Sequence, residues 1–278
     1  MAPIFVIARL TIREAQRRRL LWVALFMGIA FLLVFGVAFH FIRLDIERQV
    51  APSEDLSFIS LFLLTAGLYA ANLMTNVVAV LVSVTTLSGE IESHTIDAIV
   101  TKPIPRWQVV LGKWLGFAGL VLTYMLFLTG GLMLIVYLRS GFAMDNIGRG
   151  IAMMALAALL VLTVSIAGGT RLSTIANGVM TFMLFGLAFM GGLVEQVGAL
   201  IRNTAAVNVG IVSSLIMPAD SLWKKATVYF QPSDVSNPFE LGPFAAITEP
   251  STLMVAYAVV YLLALLAFAL WSFSRRDL

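Results

Sequence analysis

Long apolar runs, each free of Asp, Glu, Lys, Arg and His, alternate with polar stretches along this chain. They fall near Leu20–Phe39, Leu56–Leu87, Trp114–Leu138, Ile151–Gly169, Ile175–Val194 and Thr252–Phe273. A helix rises about 1.5 Å per residue, so about 20 apolar residues cover the hydrocarbon thickness of a bilayer. The pattern predicts an all-α integral membrane protein with six transmembrane helices in a single transmembrane domain, 1–278. The second run is too long for a perpendicular crossing and is expected to tilt or to project beyond the bilayer.

The polar stretches divide into three kinds. Residues 1–19 mix apolar positions (Ile4, Phe5, Ile7, Ala8, Ile12, Ala15) with basic ones at helical spacing, which predicts an amphipathic helix lying in the membrane interface. Arg13 and Arg17, with Glu14 between them, meet water and headgroups there. Residues 88–113, between the second and third runs, hold six charged residues, two prolines and two tryptophans if Trp114 is included. Such a stretch must sit in water or at headgroup level, since hydrocarbon satisfies neither its backbone nor its charges. Its pattern predicts a helix–turn–helix elbow. Ser88, Glu90, Glu92 and Ser93 suit a helix start, Pro103 and Pro105 break that helix, and Arg106-Trp107 begin the next. Residues 195–250 form the largest polar segment, and the apolar piece Val207–Met217 inside it is too short to span. It reads as a half-inserted or surface-lying helix.

Composition narrows the class. Of 278 residues, 60% are hydrophobic and 12% charged, against about 25% charged in ordinary globular domains. The net charge of +3 gives no nucleic-acid footprint. Five of the 18 basic residues (Arg9, Arg13, Arg17, Arg18, Arg19) precede the first run and set orientation. With six crossings, both termini, the closing Arg275-Arg276 and the elbow are expected in the cytoplasm, and 195–250 outside. The expected location is the inner (plasma) membrane. The first run reads as a retained signal anchor rather than a cleaved leader.

Enzyme chemistry finds no purchase in the residue inventory. There is no cysteine, no H-E-x-x-H, no G-x-S-x-G and no P-loop. The two histidines, His40 and His94, each stand alone and read as loop residues. No metal site is expected. The runs carry no ionisable group on which a proton-coupled carrier could work. Energy for any transport is expected from a partner.

The string EIESHTIDAIVTKPIPRWQVVLGKWLG, from Glu90, resembles the cytoplasmic loop of type-two ABC transporter permeases. Glu90, Glu92, Thr95, Thr101, Pro103, Arg106, Gly112 and Lys113 match that pattern, and Thr11–Trp22 and Ser272–Leu278 resemble the family's two ends. The resemblance implies a transmembrane subunit paired with a second permease. It also implies docking of two soluble ABC ATPase subunits, which bind the ATP and Mg, so no cofactor is held by this chain. The ATPase-coupling residues it marks are Glu90, Glu92, Thr95, Lys102, Pro103, Arg106, Trp107 and Lys113. Similar permeases serve multicopper-enzyme maturation and nitrous-oxide-reductase assembly. The family lines its central path with its second and fifth spans. Thr65, Asn72, Asn76 and Ser83 share one face of the second run. Thr181 and Phe185 stand on a comparable face of the fifth, with Thr174, Gly178 and Gly192. Both faces suit either path lining or interhelical packing. Gly112, Gly116 and Gly119 are expected to let the third span approach a neighbour closely. The leading function is ATP-driven export or mechanical transmission. The other reading is a non-transporting scaffold for an extracytoplasmic accessory protein.

Overall fold

The computed structural model describes residues 3–17, 19–49, 53–92, 105–144, 146–231, 246 and 249–275. Its elements are α1 (Pro3–Arg17), α2 (Arg19–Gln49), α3 (Ser53–Glu92), α4 (Arg106–Ser140), α5 (Ile147–Gly169), α6 (Thr174–Leu200), α7 (Thr204–Ile216), α8 (Ala219–Phe230) and α9 (Thr252–Ser274). No strand occurs among the described residues. Six of these helices, α2 to α6 and α9, are long and apolar enough to cross a membrane, and each encloses one of the apolar runs. The protein is a multi-pass, all-helical membrane protein.

The helices outrun the apolar windows because their flanks are also good helix formers. Beyond the first window, Arg43 Nε lies 2.7 Å from Glu47 Oε1 one turn on, a pairing that supports helix in water. That extension places His40 inside α2, not in a loop as the sequence suggested. α3, with 40 residues, extends about 60 Å. It runs unbroken through Ser88 and Gly89 to Glu92, so no new helix begins at Ser88. A single glycine costs about 1 kcal/mol in a helix, too little to interrupt one of this length. The restart after the prolines is present: α4 begins at Arg106 with Pro105 at its cap.

Terminators are visible in the sequence. α4 ends at Gly141, which adopts φ 67° and donates its N–H to Tyr137 O at 2.8 Å, the left-handed cap that glycine adopts without strain. Ser173 caps α6 and Ser251 caps α9 through their hydroxyls, and Asn203 Oδ1 accepts the Ala205 and Ala206 N–H groups at the start of α7.

α5 is the most enclosed crossing helix, with 67% of its apolar window buried, against 11% for α2 and 17% for α9. Its small residues Ala157 and Ala158 are fully buried, as are Leu160 and Val161, and the core forms where α3, α4 and α6 close around them. α1 packs across the beginning of α4. At the far end α7 and α8 meet at 106° across Met217-Pro218, so the apolar piece noted in the sequence lies along α6 with Val209, Val212 and Leu215 exposed, and α8 turns into the bundle.

Candidate functional site

At the α1 end, the sequence-predicted coupling residues are described in part. Glu90 and Glu92 lie on the last turn of α3. Thr95, Lys102 and Pro103 lie outside the described residues. Arg106 and Trp107 open α4; Trp107 is exposed, while Lys113, two turns on, is buried. The expected close approach of the third span is made to α1. A methyl added at Gly112 would lie 2.7 Å from Ile7 Cβ, and one at Gly116 would lie 2.8 Å from Ala8 O. Gly119 has nothing within 4 Å. α1 buries Ile7, Ala8, Thr11 and Ala15 against this crossing, and its Arg13, Glu14 and Arg17 are exposed. The amphipathic pattern is therefore used twice, with one face on α4 and a cationic face outward.

Hydrogen bonds tie this end of the bundle together. Trp114 Nε1 donates to Thr163 Oγ1 at 2.9 Å, joining α4 to α5. Arg171 Nε donates to Ser272 Oγ at 2.7 Å and Thr170 Oγ1 to the same oxygen at 3.1 Å, fastening the α5–α6 turn to α9.

In the bundle, Thr65, Asn72, Asn76 and Ser83 of α3 and Thr181 of α6 are all buried, and Phe185 is half-buried. The hydroxyls of Thr65, Ser83 and Thr181 donate to carbonyls one turn back, at 2.8, 2.6 and 2.9 Å. Asn76 Nδ2 does the same to Asn72 O at 2.9 Å, leaving its Oδ1 buried without a partner among the described residues. Asn177 Nδ2 donates across to Ser165 O, 2.9 Å away on α5. Of the predicted polar faces, Asn72 and Phe185 are brought together. They wall a cavity of about 10 Å³ with Tyr69, Phe189, Asp220 and Trp223, room for about one water.

Asp220 introduces what the sequence reading missed. No run contains a charge, yet α8 carries Asp220 and Lys224 into the protein interior. Lys224 is 1% exposed. Its ammonium lies 2.8 Å from Glu195 Oε2 and 3.1 Å from Asp220 Oδ2, and donates to Gly192 O at 3.2 Å. Two of its N–H bonds thus reach acceptors, Gly192 O and Glu195 Oε2, and Asp220 pairs with it by charge. Gly192 makes this possible, because a methyl there would overlap the Asp220 carboxylate. Asp220 also sits in the first turn of α8, where the helix dipole favours negative charge. The neighbouring glycines do the same for backbone approach: side chains at Gly191, Gly198 and Gly210 would collide with Ser213, Ala206 and Glu195 respectively. So α6, α7 and α8 are locked at contact distance. The runs themselves carry no charge, as read from the sequence, but α8 brings charge into the interior beside them.

A second pair is more solvated. Lys225 Nζ lies 2.6 Å from Glu249 Oε1 and donates to Pro250 O at 3.0 Å. The Glu249 side chain is 60% exposed, so Glu249→Gln is expected to lower stability by less than about 1 kcal/mol, checked by the melting midpoint in detergent.

The model of the family described as ABC-2 family transporter protein matches residues 5–278. Among curated proteins, none matches the chain.

Proposed function

The chain belongs to the ABC-2 family of transporter proteins, the membrane permease partner of an ABC ATPase, and on that premise we propose how it is driven. Two soluble ATPase subunits dock on the elbow 88–113 at the α1 end, which faces the cytoplasm of the inner membrane together with both termini. ATP and Mg are bound on those subunits. Closure of the ATPases displaces the elbow, and α3 and α4, its two arms, carry the displacement into the bundle.

The observation that carries this reading is the α1–α4 crossing over Gly112 and Gly116. A helix seated backbone-to-backbone cannot slide independently, so movement at the start of α4 is imposed on α1. The Trp114–Thr163 bond passes the same movement to α5. The exposed arginines of α1 hold the assembly at anionic headgroups. A second permease subunit packs on the lipid-facing surface, where α6 exposes Ile175, Val179, Met183 and Met190 at helical spacing. Separation of α3 from α6 and α8 opens the passage at Asn72, Phe185 and Asp220, and the output is export or mechanical transmission to the 195–250 segment.

Charge reversal tests the docking. In co-expression with the ATPase, Glu90→Lys with Glu92→Lys is expected to reduce co-purification and ATP turnover by at least roughly tenfold, since juxtaposed like charges cost several kcal/mol at an interface. Undiminished binding and turnover would remove the elbow from the mechanism.

A further inference from the structure

We propose that the far end of the bundle holds a binding site for a small amphiphile bearing a primary amine. The site is an open cleft of about 350 Å³ between α6, α7, α8 and the start of α9. Its size falls in the range of small-molecule pockets, and it is separate from the cavity at Asn72. Two carboxylates line it, Glu195 from α6 and Glu249 before α9.

The lysines that pair with these carboxylates stand behind the wall. Lys224 and Lys225 are 1% and 5% exposed and do not line the cavity. The charge that faces the cavity is therefore that of Glu195 and Glu249. An anion would meet two carboxylates there and is disfavoured.

A buried hydroxyl points to a ligand independently of the charge. Ser214 on α7 is 3% exposed, lies in the cavity wall, and its Oγ has no hydrogen-bond partner among the described residues. Buried polar atoms are rarely left without one. Ser221 and Ser251 add two more hydroxyls to the lining. The polar lining is therefore rich in oxygen acceptors. A primary ammonium, with three N–H donors and no acceptor, is its chemical complement.

The rest of the wall is apolar. Val207, Ile211 and Met254 line it and would take a hydrocarbon body. A bare metal ion fits poorly, since no group of three or more His, Asp or Glu side chains converges among the described residues. A charged head with an apolar body matches both halves of the lining.

The inference stands apart from the coupling reading, because binding is measured on the purified chain alone and its failure leaves ATPase docking untouched. The probe is dansylcadaverine, a fluorescent primary amine, titrated into the full chain in detergent, with hexylamine and hexanol as competitors. Saturable binding is expected, displaced by hexylamine and not by hexanol. Glu249→Gln and Ser214→Ala are each expected to weaken it roughly tenfold while the chain still folds and melts cooperatively. Absence of saturable binding, equal displacement by hexanol, or wild-type affinity in both variants would overturn the site.

Discussion

Replacing Lys224 by methionine is expected to lower the stability of the folded chain by roughly 3–5 kcal/mol, the usual consequence of removing one partner from a buried ion network. The change leaves Glu195 and Asp220 facing each other near Gly192 without the ammonium that now lies 2.8 and 3.1 Å from them. It also strips the Gly192 carbonyl of its donor. The measurement is the unfolding midpoint in detergent. Restoring neutrality with Glu195→Gln and Asp220→Asn in the Lys224→Met background should recover most of the loss, because three uncharged side chains no longer require one another. A Lys224→Met protein as stable as the wild type would mean that α8 is held to α6 by packing alone.

The second large effect is expected at the α1–α4 crossing. Gly112→Leu with Gly116→Leu forces side chains into space held by Ile7, Thr11 and the α1 backbone. Overpacking costs about 1–3 kcal/mol per site, so coupled ATP turnover should fall roughly tenfold or more. Gly119→Leu is the matched control, since nothing lies within 4 Å of that position, and it should behave as wild type. If the double variant binds the ATPase and couples normally, α1 is a passive anchor and the displacement travels through α3.

Much of the fold was legible because a bilayer imposes a coarse rule, about 20 apolar residues per crossing. The six runs therefore marked the six long helices, and Pro103 and Pro105 marked where α4 starts. Helix ends were less legible, since hydropathy follows the oil and not the backbone. Arg43 and Glu47 extend α2 past its run, and Gly89 does not stop α3.

The α1–α4 contact could be anticipated from Gly112 and Gly116, but not that the neighbour would be α1 rather than another span. A small-residue stripe states that something comes close without saying what. The buried charges were the clearest omission. Counting ionisable residues inside apolar runs cannot see a carboxylate and an ammonium brought in by α8 after the sharp bend at Pro218. Glu195 and Lys224 lie 29 positions apart and meet only because α7 folds back along α6. Three local signals were nonetheless present: Gly191-Gly192 one turn before Glu195, Pro218 opening a helix at Asp220, and Lys224 one turn after Asp220. Together they describe a polar helix seated against a glycine step.

The central claim is that the elbow receives its push from the ATP side of the membrane, and the absence of cysteine makes that directly measurable. A single cysteine at Pro105, exposed just before α4, would be offered to a membrane-impermeant maleimide in intact cells and in inverted vesicles. The account predicts labelling in inverted vesicles only, with protection when the ATPase is bound. Labelling from outside intact cells, indifferent to the ATPase, would contradict it.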